Sequence, residues 1–139
     1  MTQQIRSLLP PGGFSNLVGH YVAALDVGLA YVREAAGAAG DTATACRALQ
    51  AVGELESRWV HEAVGSVPTP PAPESDADVE PWLGWLDAVR TISIMVLRPL
   101  QDRDLERLIH VPNDDGPART LKRVLAELLY LQGRAAGTL

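Results

Sequence analysis

A chain of 139 residues with a formal charge of −5 has the size of one domain, able to bury roughly two-thirds of its unfolded surface around a single core. Its twelve basic residues, of which only Lys122 is a lysine, are scattered along the chain, so the basic footprint of a nucleic-acid binder is missing. The longest apolar runs, 92–97 and 124–131, stop well short of the ~20 residues that cross a bilayer, and the first residues lack a charged-then-apolar signal pattern; a soluble cytoplasmic domain spanning 1–139, without membrane or nucleic-acid partners, is expected.

Residues 1–13 read as an N-terminal arm. Apolar residues at Leu17, Val18, Tyr21, Val22, Leu25, Leu29 and Val32 have the three-and-four spacing of an amphipathic helix over 15–36, with Ser15 as N-cap and the glycines from Gly37 to Gly40 as its end. A second helix over 43–64 is predicted from Leu49, Val52, Leu55 or Glu56, Trp59 and Ala63, capped by Asp41 or Thr42 and stopped by Gly65. Residues 66–77 then hold Pro68, Pro70, Pro71 and Pro73. Each proline lacks an amide donor and restricts its predecessor, so this stretch is an extended connection.

The third helix starts near Asp78, tolerates Pro81 in its first turn and carries Trp82, Leu86, Val89, Ile92 or Ser93, Val96 and Leu97 up to Pro99. Asp102 is placed to cap a short helical piece through Ile109, and the turn-forming residues of 111–117 redirect the chain. Thr120 is the expected N-cap of a fourth helix. No window alternates apolar and polar residues, so the architecture expected is an all-α four-helix bundle with a proline-rich crossover between helices 2 and 3.

Two stretches resemble the DinB-like superfamily, and in particular its mycothiol-dependent transferase and isomerase branch: bacterial helical bundles that hold a divalent metal and act with a small thiol. In 49–65 the similarity rests on Glu56, Trp59 and Gly65; in 120–137 it rests on Thr120, Leu121, Leu125, Arg134, Ala136 and Gly137. With the helix order, the crossover and the Leu-x-x-Leu piece from Leu105 to Leu108, the resemblance covers most of the chain. At the positions it implies for metal ligands stand Ala51, Leu131 and Ala135, none of which can coordinate a divalent ion. His20, His61 and His110 lie elsewhere, in no paired spacing, so a divergent member without metal or other cofactor is expected. The resemblance also implies a pairing of helix faces into a homodimer.

The remaining candidates have two readings each. Glu127 lies one turn before Leu131, and the resemblance aims it at the old pocket, where burial against Leu and Ala would raise its pKa and suit general acid or base work; the alternative is a solvated edge paired with Arg123 or Arg134. Arg134 holds an anionic ligand group or complements the helix dipole. His61 sits at the mouth of a pocket as a catalytic group or serves as a dipole partner. Glu54, Glu56 and Arg58 form a solvated face from which Glu56 can turn inward, and Trp82 and Trp85 stack a flat ligand or pack in core or dimer contact. Cys46, the only cysteine, excludes an internal disulfide and is expected to be a buried, inert thiol.

The leading expectation is a metal-independent DinB-like protein that binds or converts a small organic molecule between helices 2 and 4, with Glu127 and His61 as its reactive groups and Arg134, Glu56, Trp59, Leu131, Ala51 and Ala135 lining the pocket. The alternatives are a non-catalytic homodimeric interaction module and a divergent metal- and thiol-dependent transferase.

Overall fold

The computed structural model describes residues 13–112 and 115–139; all but the last residue of the expected N-terminal arm, and two residues of the expected turn at 111–117, lie outside the described residues. Four long helices dominate: α1 (Asn16–Ala38), α2 (Thr42–Glu56), α3 (Glu80–Leu97) and α4 (Leu121–Thr138). From Ser57 to Gly65, α2 continues as a π-helix. No helix among the described residues is long and apolar enough to cross a membrane.

The core divides into two ends, and they give the helix directions. One end gathers Val18, Val22 and Leu25 of α1, Leu121, Val124 and Leu125 of α4, Val60 of the π turn and Leu97 of α3. The other gathers Leu29, Val32 and Ala36 of α1, Ala135 of α4, Ala45, Leu49 and Val52 of α2, and Trp82, Trp85 and Leu86 of α3. The beginnings of α1 and α4 therefore share an end with the finishes of α2 and α3. The order is up, down, down, up. Because α2 and α3 are parallel, their connection must travel back along the bundle: α3, at 18 residues, is ~27 Å long. Proline-rich chain at ~3.1 Å per residue covers that distance in about nine residues. Residues 66–79 are therefore long enough, and they form a strap over the α2–α3 side.

Two glycines let the helices approach. A Cβ on Gly53 would stand 2.3 Å from the Trp85 ring, and one on Gly28 would stand 2.7 Å from the Gln132 amide nitrogen. Asp41 caps α2 by accepting from the amides of Ala43 (3.1 Å) and Thr44 (3.4 Å), and Thr120 caps α4 by accepting from the Arg123 amide at 3.2 Å.

Three local expectations change. Ser15 occupies the N-cap of α1, but its hydroxyl makes no cap bond; it donates to Asp102 Oδ1 at 2.6 Å. That same oxygen accepts from the amides of Leu17 (2.8 Å) and Val18 (3.2 Å), so the cap of α1 comes from 85 residues away in sequence. The Ser15 hydroxyl, followed by the Val18 and Leu17 amides, holds the Asp102 carboxyl below its ordinary range. Second, the short helical piece is a 3-10 turn that ends at Glu106. Leu108–Ile109 (β1) pairs antiparallel with Arg119–Thr120 (β2) instead, in runs too short for alternation to register. Third, the widening at Ser57 lets Ser57, Trp59, Val60 and His61 all be buried within five successive residues, which the narrower stripe of an α-helix would not allow. It closes where Ser66, in the left-handed region at φ 50°, ends the helix and the Val67 amide donates to the His61 carbonyl at 3.0 Å.

Candidate functional site: a buried ionic network and the groove beside it

The middle of the bundle is polar. Arg90 of α3 is 6% exposed and its guanidinium is met by one side chain from each of the other three helices. Nε donates to Glu56 Oε2 at 3.0 Å and Nη2 to Glu56 Oε1 at 2.8 Å, the paired fork geometry. Nη1 reaches Asp26 Oδ1 of α1 at 2.9 Å, and Nη2 also reaches Gln132 Oε1 of α4 at 2.6 Å. Gln132 completes its own bonding by donating to the Leu25 carbonyl at 3.2 Å, in the space that Gly28 leaves open. Burial opposes the charge on Arg90, but the bonds and charges of Glu56 and Asp26 outweigh it and hold the guanidinium above its ordinary pKa.

The network extends through Glu56 to the π turn. Ser93 Oγ donates to Glu56 Oε2 at 2.7 Å. His61 Nε2 lies 2.9 Å from the Val89 carbonyl and 3.0 Å from Ser93 Oγ. A carbonyl only accepts, so Nε2 carries the proton and Nδ1 of the neutral ring is a bare acceptor. That Nδ1 is buried without a hydrogen-bond partner among the described residues. Burial, partly offset by the Val89 bond and the charges of Glu56 and Glu62, lowers the His61 pKa below its ordinary value.

Serine, histidine and glutamate in contact invite a nucleophile reading, and the geometry rejects it. In such a set the base takes the serine proton. Here Ser93 gives its single proton to Glu56 while His61 donates toward Ser93, and Ser93 is 2% exposed. The arrangement is a structural network.

The other predicted residues fall in separate places. His61 is fully buried, not at a pocket mouth, because the wide π turn rotates it under α3. Glu127, expected against Leu and Ala, has a side chain 36% exposed and is held by Arg119 and Arg123. Arg119 also lies over the Trp59 ring, 5.2 Å from its centroid; it thus joins Trp59 to Glu127, a link that sequence spacing does not reveal. Arg134 is exposed. Leu131 and Ala135 pack into the core end that holds Trp82, whereas Ala51 is exposed on α2 and lines a groove that contains no residue of α4. The three positions implied as metal ligands therefore do not face one another. Nor do any three His, Cys, Asp or Glu side chains among the described residues converge as a cation's ligands. The residues present do not fit the metal that the resemblance implies.

Trp82 and Trp85 are core residues, edge to face at 5.4 Å. Their indole N–H groups hold the strap: Trp82 donates to the Ser75 carbonyl at 2.9 Å and Trp85 to the Pro70 carbonyl at 3.1 Å. Cys46 Sγ lies 3.6 and 3.5 Å from the Asp76 and Asp78 carbonyls, and burial pushes its thiol pKa up.

Between the strap and α2 runs a groove of about 580 Å³, walled by Ala51, Leu55, Ser57 and Arg58 of α2 and its π turn, Pro70 of the strap and Trp85. Its size is in the range of small-ligand sites. Ser57 lines it, yet its Oγ is buried with no hydrogen-bond partner among the described residues. Glu54 and Glu62 stand one turn either side of Arg58, but Glu54 accepts from Gln50 at 2.8 Å. The π geometry turns Arg58 and Glu62 out of the four-residue register that favours ion pairs.

Asp26, Arg90 and Gln132 escaped sequence reasoning, and Ser93 was placed on the inward stripe of the third helix only as an alternative to Ile92, although Arg90 and Ser93 lie three apart inside that stripe, a placement in which a buried charge demands partners. Compared with known proteins, the chain matches no family model, no curated protein and no solved structure.

Proposed function

We propose that the protein is a metal-independent binding bundle that takes a small organic molecule in the groove between α2 and the strap. The observation that carries the reading is Ser57, a residue of the groove wall whose buried hydroxyl has no hydrogen-bond partner among the described residues. An unsatisfied buried hydroxyl costs about 1–3 kcal/mol, and π turns collect at functional positions. A ligand group bonded to Ser57 removes that cost, while Trp85, Leu55 and Pro70 supply apolar walls. This moves the binding site from the α2–α4 interior, where Arg90, Glu56 and Gln132 occupy the space, to the other side of α2. The reading is one of binding: neither His61 nor Glu127 lines the groove. A kinship with the DinB-like bundles is part of the proposal, supported by the crossover between two parallel helices, but their metal chemistry is not carried over.

The test uses a fragment library screened by ligand-detected NMR against the protein and against Ala51→Trp, which fills the groove from an exposed position. Hits that bind the protein and are lost in the variant support the reading. Hits that bind both equally, or a library without hits, refute it.

A second reading, self-association as an interaction module, is favoured by the exposed Val27 and Tyr31 of α1 and Tyr130 of α4, near a groove of about 590 Å³ lined by Gly28, Ala35, Gly133 and Ala136. Sedimentation equilibrium of the protein and of Tyr31→Glu distinguishes it: a dimer that dissociates in the variant supports this reading, and a monomer throughout removes it.

A further inference from the structure

Ser57 marks a place in the groove wall but does not choose what binds there, because a hydroxyl both donates and accepts. The charged side chains of the rim are more selective. Arg58 and Glu62 both line the groove and both are exposed, and neither forms an ion pair among the described residues. Elsewhere on the surface Arg33, Arg119, Lys122 and Arg123 each hold a carboxylate. Arg58 has one carboxylate a turn before it and one a turn after it, yet it holds neither. Glu54 is engaged by Gln50, and the π turn that begins at Ser57 carries Glu62 out of the pairing register. The rim therefore presents a separated cation and anion side by side over a half-apolar groove.

That pattern sorts ligands by charge. A molecule with only a carboxylate meets Arg58 but stands within a turn of Glu54 and Glu62. One with only an ammonium meets the carboxylates but stands beside Arg58. In each case like charges offset the attraction, which is how a site rejects the wrong ligand. A molecule with both charges gains both attractions. We infer that the groove takes a small zwitterion, an α-amino acid with an apolar side chain. Its carboxylate lies on the Arg58 guanidinium, whose planar fork suits a carboxylate, and its ammonium on Glu62. Its side chain lies between Leu55 of α2, Pro70 of the strap and Trp85 of α3, the apolar part of the wall. The two charged groups of an α-amino acid sit on one carbon, and the long, unpaired side chains of Arg58 and Glu62 converge on them from adjacent turns. The inference rests on the groove reading and adds the ligand's class to it.

The experiment is a titration of the ¹⁵N-labelled full chain with three probes that share a phenyl ring: L-phenylalanine, phenethylamine, which keeps only the ammonium, and 3-phenylpropionate, which keeps only the carboxylate. Phenylalanine should shift the amides of Leu55, Ser57, Arg58, Glu62 and Thr69 saturably, and bind about fivefold or more tightly than either analogue, the scale of one ion pair at a solvent-exposed rim. Arg58→Gln should bring phenylalanine down to the affinity of phenethylamine, and Glu62→Gln to that of 3-phenylpropionate, with Tm unchanged in both because the side chains are exposed. An analogue that binds as tightly as phenylalanine, a phenylalanine affinity unchanged in Arg58→Gln or Glu62→Gln, or no shifts with phenylalanine overturns the inference. Ala51→Trp separates the two readings. Analogue binding that is equally tight and lost in this variant removes the ligand class and leaves the groove reading standing, whereas binding of all three probes that survives it removes both.

Discussion

Replacing Arg90 by Met tests whether the ionic network is essential to the fold. Methionine fills much of the arginine stem volume but strands Glu56, whose side chain is 4% exposed, without its cation, and leaves Gln132 Oε1 without its donor. Asp26, at 46% side-chain exposure, is rehydrated at little cost. Removing one partner of a buried pair costs about 3–5 kcal/mol, mostly because the remaining charge is uncompensated. Against a total stability of about 5–15 kcal/mol for a domain, that is a large share. At about 3–5 °C per kcal/mol for this chain length, Tm should fall by roughly 10–20 °C. The decisive assay is a double-mutant cycle in urea, with Arg90→Met, Glu56→Gln and the pair. Each single variant should lose several kcal/mol, and the pair should lose clearly less than the sum, because the double variant buries no lone charge. Additive losses, or a loss under about 1 kcal/mol for Arg90→Met, would refute the reasoning.

Three further outcomes are expected. His61 has a lowered pKa in the folded state, so below the unfolded value of about 6.5 the unfolded chain binds a proton that the folded one resists; stability is complete above that pH and declines as pH falls from it, and His61→Gln should flatten the decline in urea midpoint between pH 7.5 and 5.5 as measured by circular dichroism. Gly53→Ala forces a Cβ to within 2.3 Å of the Trp85 ring and should cost about 1–3 kcal/mol, with a change in near-ultraviolet tryptophan signal; unchanged stability would show that α2 and α3 are not held this closely. Asp102→Ala removes the carboxylate that caps α1 and should cost about 1 kcal/mol, with faster hydrogen exchange at the Leu17 and Val18 amides than elsewhere in α1.

The helices were legible because their apolar residues recur at three and four, and local caps such as Asp41 and Thr120 are written within a few positions of what they cap. What escaped is non-local. Asp102 reads as a cap for the residues after it, and only the closing of the chain brings it to Ser15. The β pair joins dipeptides too short to carry a period. At the site, Glu56 was recognised as able to turn inward, but its partners lie 34 and 37 positions on, at Arg90 and Ser93. No spacing rule reaches that far. Trp59 and Glu127 meet through Arg119, which drew no attention because a lone arginine in a turn looks like any solvated charge. The π widening is invisible to a search for a 3.6 period, and it is what carries His61 inside and Ser57 to the groove wall.

The four-helix contact at Arg90 also bears on which alternative packings the chain can adopt. Leucines and valines at the two ends of the core are nearly interchangeable, and a helix that slid by one turn, ~5.4 Å, would still find apolar neighbours. The guanidinium has no such tolerance. Displacing α1, α2 or α4 by one turn removes Asp26, Glu56 or Gln132 from its reach, and a slip of α2 leaves opposite charges buried apart. Misaligned bundles are thereby raised in energy far more than the aligned one is lowered, so the network acts as a registration key that widens the gap between the native arrangement and its near competitors.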